Sequence, residues 1–204
     1  MVAMPRRKSY TPEEYLEQER GAETKSEYED GTIVDMAGGS FNHAAIAFNF
    51  GVAISPHLHK TGCRGVSSDA RIRIDAANRY YYPDLTIVCG KPVLEERVKG
   101  MEALTNPSLI VEVLSDTTER NDRVRKWDAY QSIPSLTTYV LVDQSRPRIE
   151  IFSRKPGADV WEYRKVEGIY SHIVLPELAG ITIALNAIYQ GVEFQEEAIQ
   201  DEVH

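Results

Sequence analysis

One short run, Leu109-Ile110-Val111-Glu112-Val113-Leu114, constrains this chain more than any other. Five of its six residues are aliphatic, the pattern of a central strand covered on both faces, as in a sheet flanked by helices. Glu112 is the exception. A carboxylate in such a place is costly unless it is paired or bound to a cation, so the neighbouring elements must bring it a partner.

A second strand is read over residues 81–88, where Tyr82-Pro83-Asp84 precedes an apolar stretch. Proline has no ladder donor and favours strand starts, which puts Asp84 at an end of the sheet. Upstream, Thr11-Pro12-Glu13-Glu14 carries the signature of a capped helix start, and a short helix to about residue 20 follows. Asp30-Gly31 between two strand-like runs predicts a type I′ hairpin over residues 25–36. Ser40 opens a longer helix whose apolar stripe is read as Phe41, Ala45, Phe48 and Val52. Pro56 is expected to break or kink it, and Gly62 to end it. A strand is read over residues 70–75, then a turn at Ala76-Ala77-Asn78. Residues 90–107 form a long surface connection. Thr117 or Thr118 is expected to cap a helix to residue 131, with Val124 and Trp127 on its packed side. Strands follow at 138–142, 148–153, 160–166 and 181–185. This is an α/β arrangement, a mixed β-sheet flanked by helices with additional antiparallel strands. It is read as one domain over residues 1–192 with an acidic tail over 193–204.

Composition narrows the function classes. No apolar stretch reaches the ~20 residues of a membrane span, and the basic residues near Met1 lack a secretory core. Cys63 and Cys89 fit no zinc spacing and make a poor disulfide framework, so a cytoplasmic setting is expected. The net charge of −8 argues against a broad nucleic-acid-binding surface. Carboxylates that hold a divalent cation and the acidic tail account for part of that excess.

Two carboxylates on neighbouring strands repel when both are ionised. A hard divalent cation relieves the repulsion, and magnesium is commonly held by one or two carboxylates plus substrate phosphate. A nearby ammonium would stabilise further charge developing in a transition state. Lys126 is the candidate, because Asp122, Lys126 and Tyr130 share one helix face.

In this order and spacing the motifs resemble the Uma family of restriction-endonuclease-like proteins, within the PD-(D/E)xK nuclease superfamily. The matching stretches are Tyr28-Glu29-Asp30-Gly31, Asn42-His43, Tyr81-Tyr82-Pro83-Asp84, the run LIVEVLS from Leu109, Asp122 with Lys126 and Tyr130, and YVLVD from Tyr139. The resemblance implies a restriction-endonuclease-like fold and hydrolysis of phosphodiester bonds, DNA first among them, with Mg²⁺ or Mn²⁺. Asp84 and Glu112 would be metal ligands, the Val113 carbonyl a further ligand, and Lys126 the electrostatic helper. Glu27 matches an acid that the superfamily often adds to the site. The superfamily lysine, two residues after the strand glutamate, is here Leu114, and Lys126 is the natural replacement. A homodimer is implied by the need to cut two strands.

Structural readings stand beside these roles. Asp84 would otherwise pair with Arg71 or Arg73, and Glu112 with Lys126 alone. Glu27 would be a solvated hairpin residue, His43 a helix-start hydrogen-bonding group and Asp69 a turn residue. His57 and His59, two apart, share no helix face. The Tyr80-Tyr81-Tyr82 run is either a stacking platform for bases or packing. Two rival functions follow: a binding module that kept the fold without catalysis, and a metal-dependent phosphatase acting on small phosphoesters.

Overall fold

The structure, a computed structural model, describes residues 9–36, 38–115 and 119–194. Helix α1 (Pro12–Arg20) begins with a full capping box: Thr11 Oγ1 accepts from the Glu14 N–H at 3.1 Å, and Glu14 Oε2 accepts from the Thr11 N–H at 2.8 Å. Strands β1 (Ser26–Glu29) and β2 (Thr32–Asp35) then form the expected hairpin. Asp30 and Gly31 have φ of 43° and 91°, the two left-handed residues that a type I′ turn requires.

Helix α2 (Phe41–Leu58) is capped by the Ser40 side chain. Its buried stripe is Ile46, Phe50, Ile54 and Leu58, whereas Phe41, Phe48 and Val52 face solvent. The stripe read from sequence is therefore the outer one. The helix carries two apolar rows, and only the sheet beneath decides which is covered. Pro56 lies inside the helix and does not end it. It forfeits one bond, to the Val52 carbonyl, on the side that water reaches.

Strands β3 (Cys63–Ser67), β4 (Ile72–Ile74), β5 (Arg79–Tyr81) and β6 (Leu85–Cys89) follow. The strand expected over 81–88 is thus two strands in two different sheets, separated at Tyr82-Pro83-Asp84. Pro83 ends one ladder because it has no N–H to donate. The long connection carries a hairpin of its own, β7 (Leu94–Glu96) and β8 (Glu102–Leu104), then leads to β9 (Leu109–Leu114). A π-helical segment (Asn121–Lys126) runs into α3 (Trp127–Tyr130). Trp127 packs on Tyr139, Phe152 and Trp161 as expected, but Val124 is exposed. The cap expected at Thr117 or Thr118, the basic residues 1–8 and the tail beyond residue 194 lie outside the described residues. Strands β10 (Thr138–Asp143), β11 (Arg148–Ser153), β12 (Glu162–Glu167), β13 (His172–Leu175) and β14 (Ile181–Ala184), with α4 (Leu185–Ile188), complete the chain. Neither β3 nor β13 was foreseen from sequence.

One six-stranded sheet has the order β2-β1-β5-β4-β8-β7, another β12-β11-β10-β9-β6-β3. In the second, β9 and β10 are parallel and the other pairs antiparallel. Helix α2 covers one face of it through Leu109, Val111, Val113, Val140 and Val142. The π segment and α3 cover the other, against Ile110, Leu114, Tyr139 and Leu141. β9 is therefore buried on both sides, as its composition demanded. Cys63 and Cys89 are directly opposed on β3 and β6 and joined by a disulfide, contrary to the sequence reading. Their separation of 26 residues carries no disulfide signal until β3 is known to pair with β6. With the pair bonded, cysteine usage no longer argues for a reducing compartment. Among the described residues no helix is long and apolar enough to cross a membrane.

Candidate active site

Alternation along β9 turns Glu112, with Ile110 and Leu114, toward the π segment and α3. There the Lys126 ammonium reaches Glu112 Oε1 at 3.1 Å, Glu27 Oε1 at 3.1 Å and Asp122 Oδ1 at 3.3 Å. Glu27 comes from β1 of the first sheet and Glu112 from β9 of the second, so one lysine bridges the two sheets where they diverge. The Tyr130 hydroxyl donates to Glu112 Oε1 at 2.9 Å, and the Tyr82 N–H donates to Glu27 Oε1 at 3.3 Å. All four charged groups are buried, with exposures of 6% for Glu27, 3% for Glu112, 2% for Asp122 and 6% for Lys126.

Among the described residues, one cation therefore serves three buried carboxylates. Burial pushes Glu112 well above the usual carboxylate range; attraction to Lys126 offsets this only in part, and Asp122, Asp84 and Glu27 add repulsion. Glu27 is raised for the same first cause, burial. Burial alone would lower the Lys126 ammonium, but its three acids outweigh that and hold it well above its ordinary value. The site is short of positive charge.

Asp84 stands one residue before β6. Leu85 pairs with Val111, so Asp84 lies opposite Glu112 just beyond the ladder. Its Oδ2 accepts from the Val113 N–H at 2.7 Å and from His43 Nε2 at 3.2 Å, and the partnership with Arg71 or Arg73 does not form. Arg71 goes to the Tyr82 hydroxyl and Arg73 to Asp75. His43 is raised above its usual value, first by the hydrogen bond to Asp84, against burial. The Val113 backbone also favours the charged imidazole. His43 thus touches one of the side chains expected to hold a metal, Asp84. The helix-start role read from sequence understated it, and only the tertiary contact across 41 residues reveals it.

The other candidates fall elsewhere. Asp69 is a surface partner of Lys25, and His57 and His59 are exposed. Tyr80, Tyr81 and Tyr82 are buried, at 0%, 0% and 4% exposure. They are packing, and no platform for bases. Tyr15, Tyr28 and Tyr80 cluster beneath α1. Asp122, noted only as a neighbour of Lys126 on the helix, is a full member of the buried cluster.

The cluster opens on a cleft of about 580 Å³ lined by Glu27, Glu29, Arg120, Asp122, Arg125 and Lys126, among others. Asp84 and His43 line the head of a second groove, which runs between α2 and β3. Among the described residues no three His, Cys, Asp or Glu side chains already converge as a metal site, because Lys126 sits at the centre of the carboxylates. The donors nonetheless suit a hard divalent cation: carboxylate and carbonyl oxygens, with too little positive charge among them.

The Uma2 family profile, described as "Putative restriction endonuclease", matches residues 12–186. The chain belongs to the Uma2 family. Two uncharacterised proteins of Synechocystis sp. are similar to it. One, slr1290, is 32% identical over 186 residues, covering 90% of this chain and 93% of its own. The other, sll1609, is 33% identical over 168 residues, covering 82% and 93%. Among solved structures, a crystal structure titled as a putative nuclease belonging to DUF820, from Anabaena variabilis, superposes with a TM-score of 0.69. That superposition covers 88% of this chain and 97% of the other at 16% identity, a likeness of fold. Glu27, His43, Asp84, Glu112, Asp122, Lys126 and Tyr130 all lie inside the matched Uma2 span.

Proposed function

We propose that this Uma2 protein is a metal-dependent nuclease that hydrolyses phosphodiester bonds, with DNA as its substrate and Mg²⁺ or Mn²⁺ as its ion. The observation that carries the reading is the imbalance of charge: among the described residues three buried carboxylates surround a single ammonium, with Asp84 and its partner His43 close by, beside an open cleft. Asp84, Glu112 and the Val113 carbonyl would hold the ion, and Glu27 completes the acidic set. When bound, such an ion would polarise a phosphoryl oxygen and make a water bound to it more acidic. Lys126 is placed to donate to the phosphoryl group as its negative charge grows. Tyr130 fixes the rotamer of Glu112, and His43 with the Val113 N–H fixes that of Asp84. Residues 120–126, RNDRVRK, bring Arg120 and Arg125 to the cleft wall, a local cationic rim for phosphates despite the overall charge of −8. Cutting both strands of a duplex calls for two such sites, so the working form is a homodimer.

Calorimetric titration with Mg²⁺ and Mn²⁺, paired with a plasmid-cleavage assay, tests the reading. Wild type should bind an ion saturably and cut, and Glu112→Gln should do neither while remaining folded. The second reading, a binding module without catalysis, is favoured by the way Lys126 already contacts all three acids. No metal binding and no cutting of duplex, single-stranded or RNA substrates would establish it in place of the nuclease. Turnover of small phosphoesters alone would point to the phosphatase.

A further inference from the structure

Helix α2 covers the sheet with one row of side chains and leaves a second apolar row uncovered. Phe41 is 86% exposed, Phe48 71% and Val52 55%, with Ala45 half-buried between them. The spacing 41, 45, 48, 52 alternates four and three residues, the repeat by which one helix presents a seam to another. A helix that serves only as a surface element carries polar and charged residues on its outer side. This one carries no Asp, Glu, Lys or Arg anywhere from Phe41 to Leu58, in a chain of which 26% is charged. The helix is also firmly held. Asn42 donates to the Glu193 carbonyl at 3.1 Å, and Asn49 to the Ile188 and Gln190 carbonyls at 3.1 and 2.9 Å.

We infer that the outer row of α2 is a self-association seam, at which a second copy of this chain docks its own α2. Charge selects that occupant. Two chains of net charge −8 repel over most of their surface, and a helix without Asp, Glu, Lys or Arg is where two copies can meet with the fewest like charges opposed. The composition matches the centre of a homodimer interface, apolar, aromatic and depleted of charge, with Asn42, Asn49 and Ser55 at its polar margin. Phe41 and Phe48 together expose roughly 300 Å² of aromatic side chain per copy. That is the apolar centre, though not the whole, of the roughly 800 Å² per partner of a standard interface. The inference stands apart from the catalytic reading: a chain with no nuclease activity would pair in the same way.

Sedimentation velocity of the full chain over a dilution series tests it, with circular dichroism on every variant. Wild type should sediment at twice its 23.0 kDa monomer mass. Phe48→Glu, at a position that water already reaches, should weaken the dimer by about thirtyfold or more. Val52→Lys gives the same test with the opposite charge should Phe48→Glu fold poorly. Tyr170→Glu, at a site 85% exposed elsewhere on the surface, should leave the dimer intact. A wild type that stays monomeric throughout overturns the inference, as does a dimer that survives both α2 substitutions.

Discussion

Glu112 and Glu150 occupy the same row of the same sheet and have opposite surroundings. Register pairs Leu141 of β10 with Glu112 of β9 on one side and with Glu150 of β11 on the other. The two glutamates therefore flank one buried leucine and face the same helical layer, from which Arg123 reaches one and Lys126 the other. Glu150 is closed. Arg123 grips both its oxygens at 2.8 and 2.9 Å, Arg148 adds a second guanidinium, and the Tyr163 hydroxyl donates at 3.1 Å. Burial raises its pKa, but Arg123 and Arg148 outweigh burial and the net shift is downward. Glu112 must share one lysine with Glu27 and Asp122, and its net shift is upward. Two guanidiniums on one buried acid, shared otherwise with the exposed Glu119 and Glu167, make a structural ion pair. One cation for three acids leaves a site that a further cation would complete. What distinguishes the two is stoichiometry; burial is common to both.

The largest effect that would break this contrast is expected at Lys126. Lys126→Met removes the cation that contacts all three buried carboxylates, and breaking a buried pair typically costs about 3–5 kcal/mol. Urea denaturation in chelator should show that loss, and added Mn²⁺ should restore part of it if the freed carboxylates take up the ion. Cleavage should fall by ~10²–10³ as well. A variant as stable as wild type without metal would mean that the lysine is not what holds the acids together.

Next come the two glutamates. Glu150→Gln should cost about 3 kcal/mol, the low end for a buried pair, because Arg123 and Arg148 keep part of their surface in water. It should leave metal binding unchanged. Glu112→Gln should cost far less in chelator, since it removes one of several mutually repelling charges while preserving shape and packing. If Glu112→Gln is the more damaging of the two, Glu112 is a structural salt bridge and the contrast fails.

How much of this was legible beforehand follows the range of the signals. Glu112 announced itself because a charge inside an aliphatic run needs no tertiary knowledge to be anomalous. Asp84 came from a local rule about proline, and Lys126 with Tyr130 from helical spacing. Glu27 was left between hairpin surface and site, and only the sheet junction buries it. His43 reaches Asp84 from a different element, and no local pattern encodes that contact. The failure at α2 has the same root. Phe41-Ala45-Phe48-Val52 and Ile46-Phe50-Ile54-Leu58 are both credible rows, and the choice between them belongs to the sheet. Likewise residues 81–88 read as one strand because both halves are apolar, and only two diverging sheets turn Pro83 into a crossing point.

The pH dependence of stability sharpens the comparison with a smaller effect, since one pKa unit is worth about 1.4 kcal/mol. Glu150 has a depressed folded pKa, so its stabilisation is present above its unfolded value of about 4.3 and is lost as pH falls through the folded pKa. Glu112 and Glu27 have raised folded values. Their contribution is present below about 4.3 and is lost as pH rises through the raised values. In chelator, the melting temperature should therefore climb at the acid end and decline again toward neutrality. Glu150→Gln should flatten the climb and Glu112→Gln the decline. The same slope in both variants would mean that the two acids titrate alike.

The smallest effect is expected at Leu114, which has the same alternation as Glu112 and so lies on the same face of β9. In the superfamily pattern this position carries the lysine, yet here it is 5% exposed and packs in the cluster of Ile110, Tyr130, Tyr139 and Leu141. If the ammonium has moved to Lys126, Leu114 is a core residue and nothing more. Leu114→Met keeps the volume and should cost less than about 1.5 kcal/mol, with cleavage and metal affinity unaltered. Lys126→Met makes the matched comparison, because the same methionine side chain then replaces the cation and not the leucine. Measured together, the pair should separate by at least the difference between a volume-conserving core swap and a broken buried ion pair, roughly 1.5 kcal/mol or more. Equal losses in stability and cleavage would place position 114 inside the chemistry after all, and with it the idea that one lysine on the helix does the work alone would fall.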